Sequence, residues 1–95
     1  MATFLVFTRT ATKDPAEMEI YSGKAGASMK GHAATPLVAY GAQQMLEGPA
    51  HEGMVILSFP DKDAAMGWYD SPAYSEAREH RLRGADYQVT LVEGL

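Results

Sequence analysis

Any chemistry in this chain must be done without sulfur nucleophiles, because its 95 residues include no cysteine. Disulfides, thiolate metal sites, iron–sulfur clusters and cysteine catalysis are therefore excluded. Among the three histidines, His32 is the best general-base candidate. Imidazole titrates near neutrality, and His32 follows Gly31 at a predicted helix exit, beside the strand that carries Tyr40. The plainer reading makes His32 a favourable partner for the negative end of the helix. His51, in a turn, and His80, on a charged helix, read as surface residues. The spacing of the three fits no metal-binding pattern, so no metal site is expected.

Tyr74 and Arg81 stand two helical turns apart and share one helix face, with Arg78 between them. As chemistry, Arg81 supplies a fixed cation for a carboxylate or enolate in a cleft. As structure, Tyr74 packs in the core and Arg81 pairs with a carboxylate, for which Glu47 is a candidate. Glu47 has other possible roles: it could orient His32, act as an acid, or end a strand in a salt bridge. Arg78, among Glu76, Glu79 and Arg83, reads as part of a solvated charged face. Trp68 and Tyr69 are adjacent on a helix and point about 100° apart. Either Trp68 packs on a sheet while Tyr69 closes the helix end, or one of them lines a ligand cavity, with Tyr40 as a further wall.

The run Gly23-Lys24-Ala25-Gly26-Ala27-Ser28 has the composition of a phosphate loop, but it lacks the spaced preceding glycine and lies inside a predicted helix. No nucleophile elbow, zinc-protease or dinucleotide fingerprint occurs, and no cofactor is expected. A formal net charge of -4 disfavours nucleic acid and anionic lipid as partners. No apolar run reaches the roughly 18 residues of a membrane span. The first residues enter a strand pattern without a secretory leader, so the cytoplasm is the expected location.

The elements that must position these groups can be read along the chain. Thr3–Thr10 is rich in β-branched and aromatic residues and predicts a strand. Asp14-Pro15-Ala16-Glu17 carries a cap, an N1 proline and a first-turn acid. It opens a helix whose Met18, Tyr21, Ala25 and Met29 share a face, with Gly31 as the stop. Thr35–Glu47 reads as a second strand, weakened near Gly41. Gly48–His51 is a turn, and Gly53–Phe59 is a buried-type strand ended by Pro60. Asp61 caps a helix through Tyr69, Ser71-Pro72 breaks it, and helix resumes to about Arg83. Tyr87–Glu93 alternates into a last strand.

This β-α-β-β-α-β order is the split-βαβ, ferredoxin-like arrangement: one α+β domain over residues 1–95 with a four-stranded antiparallel sheet. Helices cover one face of such a sheet. The other is expected to carry apolar groups such as Phe7, Val38, Ile56 and Val89, whose exposure would cost a small domain much of its stability. Face-to-face pairing of two copies is the natural remedy, so a homodimer is expected.

Phe59-Pro60-Asp61, Ala64-Ala65, Trp68-Tyr69, Ser71-Pro72-Ala73-Tyr74 and Arg81, with Leu46-Glu47-Gly48 upstream, resemble the bacterial family known as domain of unknown function 1330. The resemblance spans nearly the whole chain. It implies a dimeric α/β barrel related in architecture to small cofactor-free monooxygenases and muconolactone isomerase-like proteins. The family commonly has Arg-Gly where this chain has Tyr40-Gly41, and Gly-Gly where it has Ala34-Thr35. If the family arginine holds a substrate anion, its replacement implies a less anionic ligand here.

Two functions follow as expectations. One is a cofactor-free enzyme, of isomerase or monooxygenase type, with His32 as base, Arg81 stabilising negative charge, and Tyr40, Glu47, Trp68 and Tyr74 holding a small organic substrate. The other is a non-catalytic homodimer that binds a metabolite or serves as an accessory factor.

Overall fold

Three polar caps set the three helices. The Asp14 carboxylate accepts from the Ala16 amide ahead of α1 (Pro15–Ser28). Asp61 accepts from the Ala64 amide ahead of α2 (Lys62–Tyr69). Ser71 accepts from the Tyr74 amide ahead of α3 (Pro72–Gly84). Each satisfies a donor that the first helical turn leaves without a partner. Pro15 and Pro72 occupy positions where a missing N–H costs nothing. Glu17 does not reach back to close a capping box. Its carboxylate meets His80 at 2.6 Å and Arg83 at 3.4 Å, tying α1 to α3. His80, expected at the surface, is half-buried by that pairing.

The computed structural model describes residues 1–95. Its strands β1 (Thr3–Thr12), β2 (Thr35–Ala39), β3 (Gly53–Phe59) and β4 (Ala85–Glu93) form one antiparallel sheet in the order β2-β3-β1-β4. The fold is therefore ferredoxin-like, with the second helical connection divided by Ser71-Pro72 into α2 and α3. Strand β1 is central, paired with β3 on one side and β4 on the other.

Register decides which side chains reach the helices, since successive residues of a strand face opposite ways. Leu5 stands level with Leu57 and Leu91, and Phe7 with Val55 and Val89. Both rows face the helices and meet Phe59, Trp68, Tyr74, Ala65 and Ala77 in the core. Phe7 and Val89 are thus on the covered face, contrary to the expectation above. The pattern of apolar types in β1 and β4 does not by itself say which parity faces the helices. The open face carries Phe4 and Val6, with Met54, Ile56 and Val38 from the neighbouring strands.

Strand β2 is shorter than its sequence suggests. It ends at Ala39 instead of continuing to Glu47, and its pairing is irregular between Pro36 and Val38. Tyr40 takes a left-handed backbone with φ of 55°, which turns the chain out of the sheet. Residues 40–52 then run as an irregular, largely exposed segment. No helix is long and apolar enough to cross a membrane.

Candidate functional site

The helical spacing of Met18, Tyr21, Ala25 and Met29 points that face of α1 at the sheet, but its small members leave the gap unfilled. Ala25 and Gly26 stand above Phe7, Val55 and Leu57, and a cavity of about 370 Å³ results. That is within the usual size range for small-molecule sites. Its walls are mainly apolar. Trp68 closes one end, while Arg9 and Tyr40 stand at the other.

Trp68 belongs both to the core and to the cavity wall. It is buried against Phe59, with ring centroids 5.8 Å apart, and it also lines the cavity. Its indole N–H donates to Ser28 Oγ at 3.1 Å, and Ser28 in turn donates to the Ala25 carbonyl at 2.6 Å. The ring is thereby fixed by a hydrogen bond as well as by packing. Tyr69 is half-buried at the helix end, with the Arg78 guanidinium 4.7 Å from its ring centre. Arg78 is therefore a stacking partner for an aromatic ring.

At the polar end, Tyr40 packs its ring over Gly53, where an added Cβ would stand 2.6 Å from Tyr40 Cδ1. Its hydroxyl shares a hydrogen bond with the Tyr87 hydroxyl. The Arg9 guanidinium lies 4.8 Å from the Tyr40 ring centre. Arg9 Nε is shielded from solvent and donates no hydrogen bond. The nearest carboxylate oxygen, Glu52 Oε1, is 3.4 Å away, an ion-pair distance without hydrogen-bond alignment. Glu52 also accepts from the Thr12 hydroxyl, which is the main reason its carboxyl titrates below the usual range.

Behind this end lies a cluster of tyrosines around Arg81. The Tyr21 and Tyr74 hydroxyls share a hydrogen bond of 2.9 Å. Burial raises the pKa values of Tyr21, Tyr74 and Tyr87 above the ordinary phenol value, so all three are neutral near pH 7. They can orient a bound group but cannot serve as resting phenolate bases. Arg81 is only 5% exposed, and its guanidinium lies 5.2 Å from the Tyr87 ring centre. Its Nε has no hydrogen-bond partner. The carboxylate expected to pair with it is not Glu47, which stands exposed on the 40–52 segment. A buried cation held by an aromatic face takes the place of the ion pair.

The profile of the family with the description domain of unknown function 1330 matches residues 2–95. The chain belongs to this DUF1330 family. Among solved structures, a protein of unknown function from Rhodopseudomonas palustris is 18% identical, with a TM-score of 0.78 over 99% of this chain and 82% of that one. A dimeric ferredoxin-like protein of unknown function from Jannaschia sp. CCS1 is 13% identical, with a TM-score of 0.74 over 99% and 100% of the two chains. SnoaB, a cofactor-independent oxygenase from Streptomyces nogalater, is 14% identical, with a TM-score of 0.63 over 99% and 93%. At such identities the likenesses establish the ferredoxin-like fold alone. Among curated proteins no sequence match is found.

Within this DUF1330 chain the sequence-derived site residues do not all converge. Tyr40 and Trp68 both line the cavity. Tyr74 is fully buried behind it, bonded to the cavity residue Tyr21. Arg81 lies beside Tyr87, which pairs with Arg9. His32 is exposed, in the turn before Thr35, and Thr35 stands level with Ser58 and so with Phe4. Five strand positions separate the levels of Phe4 and Arg9, roughly 16 Å along β1 at about 3.3 Å per residue. His32 and Arg81 therefore belong to opposite ends of the sheet.

Sequence reasoning passed over Arg9. An Arg between two threonines in a strand looks like a solvated edge residue. Only the antiparallel register, which sets Arg9 level with Gly53 and Tyr87, shows that it faces the helices beside Tyr40.

Proposed function

We propose that this DUF1330 protein binds a small, largely apolar organic molecule in the cavity between α1 and the sheet, and that it does so as a homodimer. The observation that carries the reading is the cavity itself: mainly apolar walls, four aromatic side chains (Phe7, Tyr21, Tyr40 and Trp68), and a single charged group, Arg9. The space is open at its rim, where Ser22, Gly26, Ala39 and Tyr40 are exposed, so its apolar floor of Phe7, Val55 and Leu57 can be reached from solvent.

For the homodimer, the support is the uncovered sheet face and the segment that follows β2. Phe4, Val6, Met54 and Ile56 present apolar groups on that face. Leu37 is 55% exposed and Leu46 84%. Covering a side chain of this size contributes about 1.5–3 kcal/mol, and several together rival the total stability of a small domain, about 5–15 kcal/mol. The Jannaschia relative, described as dimeric, agrees with this assembly.

Binding is the core of the proposal, and turnover is a second reading. The likeness to the oxygenase SnoaB and the placement of Arg9 at the cavity end, where it would stabilise an enolate or similar anion, favour cofactor-free chemistry. The cavity walls include no His, Asp or Glu, which favours a bound metabolite released unchanged.

A thermal-shift and Trp68-fluorescence screen of small aromatic and alicyclic compounds tests the proposal, with Gly26→Leu as the control. Gly26 lines the cavity at its exposed rim and has open space where a side chain would begin, so leucine there obstructs the opening. Hits are expected for the natural chain and lost in Gly26→Leu, which should fold at least as well because leucine is the better helix former. Hits that survive in Gly26→Leu would place binding elsewhere and overturn the assignment.

A further inference from the structure

The charge inside the cavity is more informative than its size. Of all the lining residues, Arg9 alone carries a formal charge. Its side chain is 24% exposed, so the cation is only partly hydrated. Glu52 approaches it from the side at 3.4 Å but is 42% exposed and bonded to Thr12, and it is not part of the cavity wall. A single cation in a low-dielectric, mostly apolar cleft creates a field that favours anions over neutral analogues.

The geometry of the guanidinium adds a direction. Its central carbon lies 4.8 Å from the centre of the Tyr40 ring, and Tyr40 is held in turn by its backbone bond to Met54, at 2.9 Å, and by Tyr87. A guanidinium offers a planar fork of N–H donors that matches the two oxygens of a carboxylate. Phe7, Tyr21 and Trp68 offer ring faces and edges, and Met18 and Met29 offer thioethers, which make favourable contacts with aromatic rings. An apolar cavity of about 150 Å³ accepts benzene, so one of about 370 Å³ has room for a fused bicyclic ring with its acid group.

We infer that the cavity takes an aromatic carboxylate and that Arg9 is the residue that holds its anionic oxygens. This rests on the reading of the cavity as a ligand site. It also changes the expectation drawn from Tyr40 standing where the family carries arginine. Residue 40 no longer supplies the cation, but its ring positions one from the adjacent part of the sheet.

The test compares 2-naphthoate with 2-naphthamide, which has the same ring and a neutral head group, by calorimetric titration of the natural chain, Arg9→Gln and Arg9→Lys. The natural chain should bind the acid about 10- to 100-fold more tightly than the amide, the range expected for a charge-assisted hydrogen-bond pair. Arg9→Gln should remove that preference while leaving amide binding within about twofold, which also shows that the variant is folded. Arg9→Lys should keep a reduced preference, since it retains the charge and loses the fork. Equal binding of acid and amide, or an acid preference that survives Arg9→Gln, overturns the assignment of Arg9 while leaving the cavity as a ligand site. If neither compound binds and neutral naphthalene also fails, the ligand-site reading falls with it.

Discussion

Arg81 is the residue whose role changes most between sequence and structure. Its helical spacing from Tyr74 suggests either a salt bridge or a catalytic cation, yet it is buried over Tyr87 with no carboxylate attached. A cation–π contact offsets part of the desolvation, by about 2 kcal/mol or more for a dehydrated pair, whereas an uncompensated buried charge costs several. Arg81→Met should therefore raise stability by about 1–2 kcal/mol, read as a higher urea midpoint at unchanged slope. A lower midpoint would mean that the charge has a partner this packing does not supply. Tyr40 and Trp68 were legible as cavity residues because large aromatics have few other places to go. Arg9 was not legible, since its surroundings are fixed by partners more than forty positions away along the chain, Gly53 and Tyr87.

The helices were the most readable elements. Asp14, Asp61 and Ser71 act within three residues of themselves, so their capping roles need no tertiary information. Strand β2 was the least readable. The apolar run after Thr35 looks continuous, but the left-handed turn at Tyr40 ends the pairing, and such backbone geometry is not written in a hydrophobic pattern. The same elements predict opposite outcomes for two glycines. In α1, Gly23 has open space around it, and Gly23→Ala should stabilise the protein by about 1 kcal/mol through helix propensity alone. In β3, Gly53 leaves room for the Tyr40 ring, so Gly53→Ala should destabilise by about 1–3 kcal/mol, the usual cost of overpacking. Thermal denaturation of the two variants side by side checks both signs.

For the whole molecule, stability should fall at both ends of the pH scale for separate reasons. Glu17, Glu52 and Glu76 have carboxyl pKa values below 4.5, chiefly because they are hydrogen-bonded by His80, Thr12 and Lys24 respectively. A lowered folded-state value gives stability that is present above 4.5 and lost as pH falls below it. Tyr21, Tyr74 and Tyr87 have raised values, mainly from burial, so their contribution is present below pH 10 and lost above it. Urea midpoints should therefore drop as pH falls below 4.5 and as it rises above 10, with Glu17→Gln flattening the acid side. A maximum below pH 4 would contradict the assignment.

The central claim is that the space beneath α1 receives a ligand, and the methionines report on it most directly. Of the six in the chain, Met18 and Met29 line the cavity, while Met54 lies on the opposite face of the sheet. In methyl-labelled protein titrated with 2-naphthoate, the Met18 and Met29 resonances should shift together in a saturable way while that of Met54 holds still. Shifts confined to Met54, or saturable binding that leaves Met18 and Met29 unmoved, would contradict the account.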